Sequence, residues 1–258
     1  MRLGDLISDL PARWSSEAAR GAVVRGLCQD SRHVKSGELF VAMPGDTVDG
    51  REFIADAWAR QAAAVLLDDD GRELPNPGVG VTGLRELLGG IASRFFAEPS
   101  RALDVVAITG TNGKTSCSQY VAQLLAAAAV DCGVAGTMGF GSVDALEGAT
   151  LTTPEPVRLQ SILATFVAQG RQAAALEASS HGLAQGRLNG TRVRVAVFTN
   201  ITRDHLDYHP DFAAYKAAKA RLFRFADLAA AVINADDPWG PELAELCEAP
   251  VWTYSATD

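Results

Sequence analysis

The sequence predicts an α/β protein in which parallel strands are covered by helices. Short apolar runs of strand length alternate along the chain with stretches of helical pattern, which is the order that builds parallel sheets. The 258 residues are 48% hydrophobic and 21% charged, an ordinary globular composition that argues against disorder. This length accommodates one large domain or two modest ones, and either can bury a core.

Each apolar run predicts one strand, and the stretches between the runs predict the helices. The predicted strands are 39–42, 64–67, 105–108, 173–176, 195–198 and 230–233. The predicted helices lie near 53–63, 84–97, 114–129, 156–169, 212–225 and 241–247. Pro99 prevents the second helix from continuing, and a buried strand follows, so we place a domain boundary at 97–101. The predicted domains are therefore residues 1–100 and 101–258.

Charge and cysteine usage exclude several classes of protein. The net charge of −8 argues against a general binder of nucleic acid or of anionic membranes, although it leaves room for one local phosphate pocket. No apolar run approaches the roughly 18 residues of a membrane helix, and Asp5 comes too early for a secretion signal. The four cysteines form no CxxC pair, so we expect neither a zinc site nor a disulfide framework. We expect a soluble, reduced, cytoplasmic protein.

The strongest functional signal is the segment 105–116, VVAITGTNGKTS. An apolar strand leads into a glycine-containing loop, a Lys-Thr pair and a helix, which is the order of a phosphate-binding loop. Gly110 and Gly113 would let backbone N–H groups approach phosphate oxygens, Lys114 would neutralise the β- and γ-phosphates, and the Thr115 hydroxyl would ligate Mg²⁺. A glycine-rich turn without a phosphate is the alternative, because Ile108 stands where the common pattern has a glycine.

Two further polar groups follow predicted strands. Glu177 comes directly after strand 173–176, and His205 lies in the segment that follows strand 195–198. Ligands of open α/β sheets bind at the carboxyl ends of the strands, so we expect both groups near the phosphate loop. A carboxylate, an imidazole and a hydroxyl beside a triphosphate would suit Mg²⁺. Glu177 could instead cap a helix and His205 could bond its own loop, and the roles of His181 and His209 are equally open.

Five groups of residues together resemble the Mur ligase family, the ATP-dependent amide-bond ligases of peptidoglycan precursor synthesis. They are the loop TGTNGKT at 109–115; Asp30-Ser31-Arg32 with 37–42 and 45–50; LTTP at 151–154; EASSH at 177–181 with Gln185 and Arg187; and the segment 199–209. The resemblance spans nearly the whole chain, and it is strongest toward the branch that adds the third residue of the peptide.

The resemblance implies a small N-terminal α/β UDP-binding domain followed by a central ATPase domain with a parallel sheet. It implies a ligase that uses ATP to add an amino acid to UDP-N-acetylmuramoyl-L-alanyl-D-glutamate through an acyl phosphate. Diaminopimelate is expected rather than lysine, on family frequency alone. ATP would lie on Gly110, Thr111, Asn112, Gly113, Lys114, Thr115 and Ser116. The implied catalytic residues are Lys114, Glu177, His205 and Lys219.

The remaining implied roles concern the metal and the UDP-linked substrate. Mg²⁺ would be held by Thr115, Glu177, His205 and Lys219, the last as a carbamate. Helical periodicity alone predicts a solvated face for Lys219, and Lys216, one turn away, is the alternative carbamate. The uridine diphosphate would contact Gln29, Ser31, Asp46, Thr47 and Val48, and the muramoyl-peptide would contact Thr152, Thr153, Ser179, Gln185 and Arg187. Arg187 could otherwise be an ordinary surface cation.

The family has a third, C-terminal domain that binds the incoming amino acid, and we expect that domain to be absent from this sequence. We accordingly expect the 258-residue chain to be a monomer that does not form the amide bond by itself. Two other classes remain open, a non-catalytic nucleotide-sugar binding module and an unrelated P-loop NTPase or kinase. Folate polyglutamylation ligases share the phosphate loop, but the Asp30-Ser31-Arg32 segment argues against them.

Overall fold

The computed structural model describes residues 1–45 and 48–257. The chain divides into two compact units, Met1–Phe95 and Phe96–Asp258. The first contains the sequence segments around Ser31, and the second contains the phosphate-loop segment and all the other candidate site residues. No helix in the described part of the chain is long and apolar enough to cross a membrane.

The first unit is a sheet flanked by short helices. Its described strands are β1 (Ala12–Trp14), β2 (Gly26–Cys28), β3 (Glu38–Ala42), β4 (Ala64–Asp68) and β5 (Gly78–Val81), and its helices are α1 (Leu3–Leu6), α2 (Glu17–Gly21), α3 (Ile54–Ala59) and α4 (Leu84–Phe95). The strand order is β1-β5-β4-β3-β2, in which β2 to β5 run parallel and β1 pairs antiparallel with β5. Strands β3 and β4 are buried on both faces, which explains their continuous apolar sequences.

The second unit is a larger sheet with helices on both faces. Its described strands are β6 (Asp104–Thr109), β7 (Cys132–Gly136), β8 (Gly139–Ser142), β9 (Ala145–Glu147), β10 (Ala173–Glu177), β11 (Val195–Phe198), β12 (Ala230–Asn234) and β13 (Val251–Tyr254). Its described helices are α5 (Lys114–Ala127), α6 (Pro156–Ala168), α7 (Ser180–Ala184), α8 (Phe212–Ala220) and α9 (Gly240–Glu245). The strand order is β13-β12-β11-β6-β10-β7-β8-β9.

Alternate side chains of β6 point into two cores, one on each face of this sheet. Val105 and Ala107 join the larger core, which also holds Phe166 and Phe198. Ile108 belongs to the smaller core beneath α5. A strand buried on both faces needs apolar residues at every position, and this is the pattern that made β6 recognisable in the sequence.

The predicted fold class is confirmed, since parallel pairs dominate both sheets, and antiparallel pairs occur at their edges. Strands β8 and β9 pair antiparallel beside β7, and β1 does so beside β5. The six predicted strands are present, whereas β1, β2, β5, β7, β8, β9 and β13 were not predicted. Several of these are glycine-rich or short, so they lack the bulky apolar run that marks a buried strand.

Several predicted helices end earlier in the structure, at residues with left-handed backbone. The helix predicted to reach Ala97 stops at Phe95, since Ala97 and Glu98 have φ of 61° and 53°. Helix α3 stops at Ala59, shortly before Gln61 with φ of 63°. Beyond α8, the residues predicted to continue the helix form a 3₁₀ turn at Arg221–Arg224.

The topology places several strand ends side by side. Strand β6 lies between β10 and β11 and is parallel to both, so the carboxyl ends of all three reach the same edge of the sheet. The last residue of β10, Glu177, stands opposite Ile108, and Phe198 at the end of β11 stands opposite Thr109.

Candidate functional site

The loop between β6 and α5 has the backbone of an anion-binding loop. Gly110 and Gly113 have φ of 153° and 85°, which side chains disfavour, and a Cβ on Gly110 would collide with the hydroxyl of Thr199. Helix α5 begins at Lys114 without a side-chain cap. The N–H groups of its first turn and the positive end of its dipole therefore face outward, as a phosphate requires.

The segment after β11 fixes this loop from the side. The Thr199 hydroxyl donates to the carbonyl oxygen of Asn112 at 2.6 Å, and the Thr111 N–H donates to the carbonyl oxygen of Asn200 at 2.8 Å. The Asn200 side chain also accepts from the Asn112 N–H at 3.0 Å. The loop geometry is thus set before any ligand arrives.

Two lysine side chains converge on one carbonyl of the loop. Lys114 Nζ donates to the carbonyl oxygens of Gly110 and Thr111, each at 2.9 Å, and Lys219 Nζ donates to that of Gly110 at 2.8 Å. Burial lowers the pKa of Lys114, against the opposing charges of Glu177 and Asp204. Burial, and then repulsion by Lys114, lower the pKa of Lys219 to about 7 although Asp204 opposes the shift.

The solvated face that periodicity predicted for Lys219 is wrong. Its side chain is 1% exposed, and Nζ lies 4.6 Å from the ring centroid of Tyr215. Lys216 instead forms a 2.9 Å ion pair with Glu242 and packs on Trp239, and it makes no contact with the loop among the described residues. Periodicity failed here because α8 packs on the phosphate loop, so a polar site rather than solvent covers Lys219.

Glu177 is 2% exposed, and a residue that the sequence analysis missed holds its carboxylate. Thr137 donates its backbone N–H to Oε1 at 2.9 Å and its hydroxyl to Oε2 at 3.0 Å. The preceding Gly136 leaves room for this carboxylate, since a Cβ there would overlap it. A glycine followed by a threonine at the end of a strand was the available signal, but it became informative only once β7 was known to lie beside β10.

The predicted substrate residues of the second unit form one hydrogen-bonded group beside Glu177. The Thr153 hydroxyl donates to the Glu177 carbonyl oxygen at 2.8 Å and accepts from the Ser179 N–H at 2.9 Å. The Thr152 and Thr137 hydroxyls lie 3.0 Å apart. Four of the five predicted residues thus lie close together, with Gln185 linked to them through Arg187.

Arg187 is a buried residue and not a surface cation. Its guanidinium donates to Gln185 Oε1 from Nε at 2.9 Å and from Nη2, and to the Thr153 carbonyl oxygen at 2.9 Å. It also pairs with Glu155 at 3.2 Å. The guanidinium therefore braces neighbouring protein groups.

Three imidazoles and two phenols cluster beside α8. The ring centroids of His181 lie 4.8 Å from His205, 4.1 Å from Tyr208 and 5.6 Å from His209, and Tyr215 lies 5.3 Å from His209. His209 Nε2 is buried without a hydrogen-bond partner among the described residues. Burial lowers the pKa of His209, and the charges of His181, His205 and Lys219 lower it further.

The predicted metal ligands Thr115 and His205 are more exposed than Glu177. Thr115 is half-buried and Ser116 is exposed on the first turn of α5. His205 is partly exposed and lies 3.6 Å from Asp204. Within 1–45 and 48–257, no group of three or more His, Cys, Asp or Glu side chains is arranged to hold a metal ion.

The candidate residues of the first unit are placed less completely. Ser31 is buried at the start of a 3₁₀ turn whose preceding residue, Asp30, accepts from the Arg32 N–H. Gln29 is half-buried beside it, and Val48 is exposed. Asp46 and Thr47 lie outside the described residues.

Two known sequence families match this chain. Residues 108–258 match the Mur ligase middle domain, and residues 23–96 match the Mur ligase family, catalytic domain. The chain belongs to the Mur ligase family. This membership agrees with the phosphate loop on β6 and with the order of the two units.

Named relatives and solved structures agree with that membership. The chain is 49% identical over 247 residues to a UDP-N-acetylmuramoyl-L-alanyl-D-glutamate--2,6-diaminopimelate ligase of Pseudomonas aeruginosa, covering 94% of this chain and 51% of the relative. The Coxiella burnetii protein of that name is 40% identical, with coverage of 93% and 50%. The chain thus spans about half the length of the curated relatives it matches.

A solved ligase with the same printed name matches with a TM-score of 0.86 and 34% identity, over 100% of this chain and 53% of that one. The MurF ligase of Thermotoga maritima, solved with ADP, matches with a TM-score of 0.64 and 20% identity, over 92% and 51%. At that identity the second likeness concerns the fold alone.

Proposed function

We propose that this chain supplies the UDP-binding and ATP-binding parts of a ligase that joins meso-diaminopimelate to UDP-N-acetylmuramoyl-L-alanyl-D-glutamate. One observation carries the proposal: the phosphate loop, Lys114, Lys219 and Glu177 meet at one edge of the second unit's sheet. The relatives that are 49% and 40% identical are both named diaminopimelate ligases, which supports diaminopimelate over lysine as the added amino acid.

ATP would lie on the loop from Gly110 to Ser116, with its phosphates on the N–H groups of the first turn of α5, which no side chain caps. The Lys114 ammonium donates to two loop carbonyl oxygens at 2.9 Å, so it is next to the place where a phosphate would bind and could exchange these bonds for bonds to the phosphate. The γ-phosphoryl group would pass to the D-glutamate γ-carboxylate, and the amine of the incoming amino acid would displace phosphate from the resulting acyl phosphate. Positioning and charge neutralisation are what this transfer requires of the protein.

The donor groups around the loop suit Mg²⁺, which prefers oxygen ligands. Thr115, Glu177 and His205 would hold the ion together with Lys219, provided that Lys219 carries a carboxylate. Its pKa of about 7 leaves a large part of the amine neutral at neutral pH. The neutral nitrogen can attack the carbon of CO₂, and loss of one proton leaves a carbamate anion. The ion would neutralise phosphate charge when bound.

Each part of the UDP-linked substrate would have its own set of contacts. Gln29, Ser31, Asp46, Thr47 and Val48 would contact the uridine diphosphate, and Thr152, Thr153, Ser179 and Gln185 would contact the muramoyl-peptide. Arg187 would act by holding Gln185 and the Thr153 carbonyl in place, because its own guanidinium is committed to them. Lys114, Glu177, His205 and Lys219 would carry the chemistry.

Calorimetric titration of the purified chain tests the proposal. We expect the chain to bind UDP-N-acetylmuramoyl-L-alanyl-D-glutamate and Mg·ATP. Lys114→Ala should remove the binding of ATP, and Ser31→Ala should weaken the binding of the UDP ligand. The exposed Lys35→Ala is the matched control and should change neither. Binding of a folate in place of the UDP ligand, or full ATP affinity in Lys114→Ala, would contradict it. Binding of the UDP ligand with no ATP binding would favour the non-catalytic module.

A further inference from the structure

A second polar cavity lies in the larger unit, away from the phosphate loop. Its volume is about 220 Å³, and the charged and amide side chains that line it are Arg101, Asp104, Arg171, Gln172, Arg192 and Arg194. We call it the arginine pocket. Asp104 begins β6, while Gln172 and Arg194 directly precede β10 and β11. The pocket is therefore at the amino ends of the strands whose carboxyl ends carry the candidate site. The six residues of β6 separate the pocket from the phosphate loop by about 20 Å.

Guanidinium groups dominate the lining of the arginine pocket, although the protein has a net charge of −8. Each of them also has a carboxylate partner: Arg101 pairs with Glu98 at 2.6 Å, Arg171 with Asp131 at 3.7 Å, Arg192 with Asp227 at 3.9 Å and Arg194 with Asp104 at 3.2 Å. Of these four carboxylates, only Asp104 belongs to the lining. The wall of the cavity therefore carries more positive than negative groups, which favours an anion inside it.

Two of the four arginines, Arg192 and Arg194, are paired less tightly than Arg101, which lies 2.6 Å from Glu98. Arg192 Nε lies 3.9 Å from Asp227, beyond a hydrogen bond, and Arg194 contacts Asp104 through Nη1 at 3.2 Å. In the first unit, by contrast, Arg13 grips Asp69 with two hydrogen bonds of 2.9 and 2.6 Å. Each guanidinium has five donors, so Arg192 and Arg194, which are 49% and 56% exposed, retain donors for a ligand.

Arg171 also lines the arginine pocket, and its guanidinium is held in place by neighbouring groups. Its side chain is 10% exposed, and its guanidinium carbon lies 5.0 Å from the ring centroid of Phe166. Nε donates to Gln169 at 3.0 Å, and Nη1 donates to the Cys132 carbonyl oxygen at 3.3 Å. A cation held in this way loses little further side-chain entropy when it meets an anion.

We propose that the arginine pocket binds a phosphate group, either as free phosphate or as part of a phosphorylated metabolite. Planar guanidinium forks match the oxygens of a phosphate, and four of them line this cavity. The pocket is open to solvent, since Arg192 and Arg194 are half-exposed, so a small anion can enter directly. This site is independent of the proposed ligase function.

Protection from phenylglyoxal, read residue by residue by mass spectrometry, tests the site in the unmodified chain. Pyrophosphate should slow modification of Arg192 and Arg194 at least fivefold and leave the exposed Arg224 unchanged. Pyrophosphate on the phosphate loop does not affect this readout, because the loop is at the opposite edge. Unchanged rates at Arg192 and Arg194 would overturn the proposal. Protection by inorganic phosphate identifies free phosphate as the ligand, whereas protection by glycerol 3-phosphate alone identifies an ester.

Matched variants give the second measurement. In a Lys114→Ala background, which weakens the phosphate loop, Arg192→Gln with Arg194→Gln should weaken pyrophosphate binding at least tenfold. Arg60→Gln with Arg224→Gln removes the same charge at exposed positions elsewhere and should have little effect. Equal losses in both double variants would mean that general charge, and not the pocket, attracts the anion.

Discussion

The side chain of Lys219 donates a 2.8 Å hydrogen bond to the carbonyl oxygen of Gly110. Lys114 donates to the same oxygen at 2.9 Å, so two amines share one acceptor in a buried place. Two ammonium groups bonded to one oxygen repel each other strongly when bulk water is excluded, so the pair is more stable when one amine is neutral. The lower pKa belongs to Lys219, which makes it the group that can change its charge.

We expect Lys219 to form a carbamate. In ¹³C-bicarbonate, the chain should show a carbamate resonance that is missing from Lys219→Ala and retained by Lys216→Ala. Mg²⁺-dependent nucleotide binding should fall at least tenfold in Lys219→Ala and recover in part with formate or acetate, which can occupy the place of the carboxylate. A resonance that survives in Lys219→Ala and disappears in Lys216→Ala would transfer the role to Lys216.

Lys219 should also make stability rise with pH. The folded state releases this proton near pH 7, whereas the unfolded chain keeps it until the ordinary lysine range near 10.5. Between these values the unfolded state binds more protons, so the free energy of unfolding increases with pH, by at most about 1.4 kcal/mol per pH unit. In CO₂-free buffer, Lys219→Met should remove this rise between pH 7.5 and 9.5, and Lys216→Met should keep it. Parallel curves for the chain and Lys219→Met would contradict the buried neutral amine.

Thr137 should control how well Glu177 binds Mg²⁺. Thr137→Val removes the hydroxyl that donates to Oε2 at 3.0 Å and leaves the backbone bond to Oε1. Loss of such a supporting bond typically lowers metal affinity about 10–100-fold, and we expect about tenfold in Mg²⁺-dependent nucleotide binding. Thr137→Ser should retain the affinity, and Thr165→Val, at an exposed position of α6, should not alter it. An unchanged Mg²⁺ dependence in Thr137→Val would separate Glu177 from the metal.

Arg187→Met should act on stability before it acts on binding. The variant removes the hydrogen bonds that the guanidinium donates to Gln185 Oε1 and to the Thr153 carbonyl, together with the ion pair to Glu155, which should cost about 2–4 kcal/mol in unfolding free energy. The matched control is Arg224→Met at an exposed position, which should change the unfolding free energy by less than about 0.5 kcal/mol. Arg221 is also exposed, but it donates to the Ala184 carbonyl oxygen and is therefore a less suitable control. An unaltered melting temperature with weaker UDP-ligand binding would mean that Arg187 contacts the substrate itself.

The sequence predicted those parts of the candidate site that lie within one continuous segment of the chain. The phosphate loop is one contiguous segment, and Glu177 ends a strand whose apolar run is plain, so both were predicted where the structure has them. Thr137 and Gly136 could not be found in this way, because their importance depends on β7 lying beside β10. Lys219 was placed on a solvated face by periodicity alone, since nothing within α8 reveals that the phosphate loop covers it.

The sheet edges were missed for a related reason. Strands β8 and β9 contain glycine and small polar residues and are held by antiparallel partners, not by burial on two faces. Their sequences therefore carry no apolar run that a pattern could detect. The alternation of strands and helices was enough for the fold class, because it reflects the central parallel strands that fix the topology.

The bracing of the phosphate loop by Asn200 has a consequence for the order of events on the ribosome. Asn112 and Asn200 are 88 residues apart. Among the strands that the structure describes, the partners of β6 are β10 and β11, which are both synthesised long after it. Contacts so distant in sequence must pay for a large loop closure, so they form late in folding. A nascent chain that has emerged only as far as α6 thus carries the phosphate-loop sequence on an unpaired strand. We therefore expect nucleotide to bind only after β11 has paired with β6, so that it stabilises the finished loop and does not direct the early steps of folding.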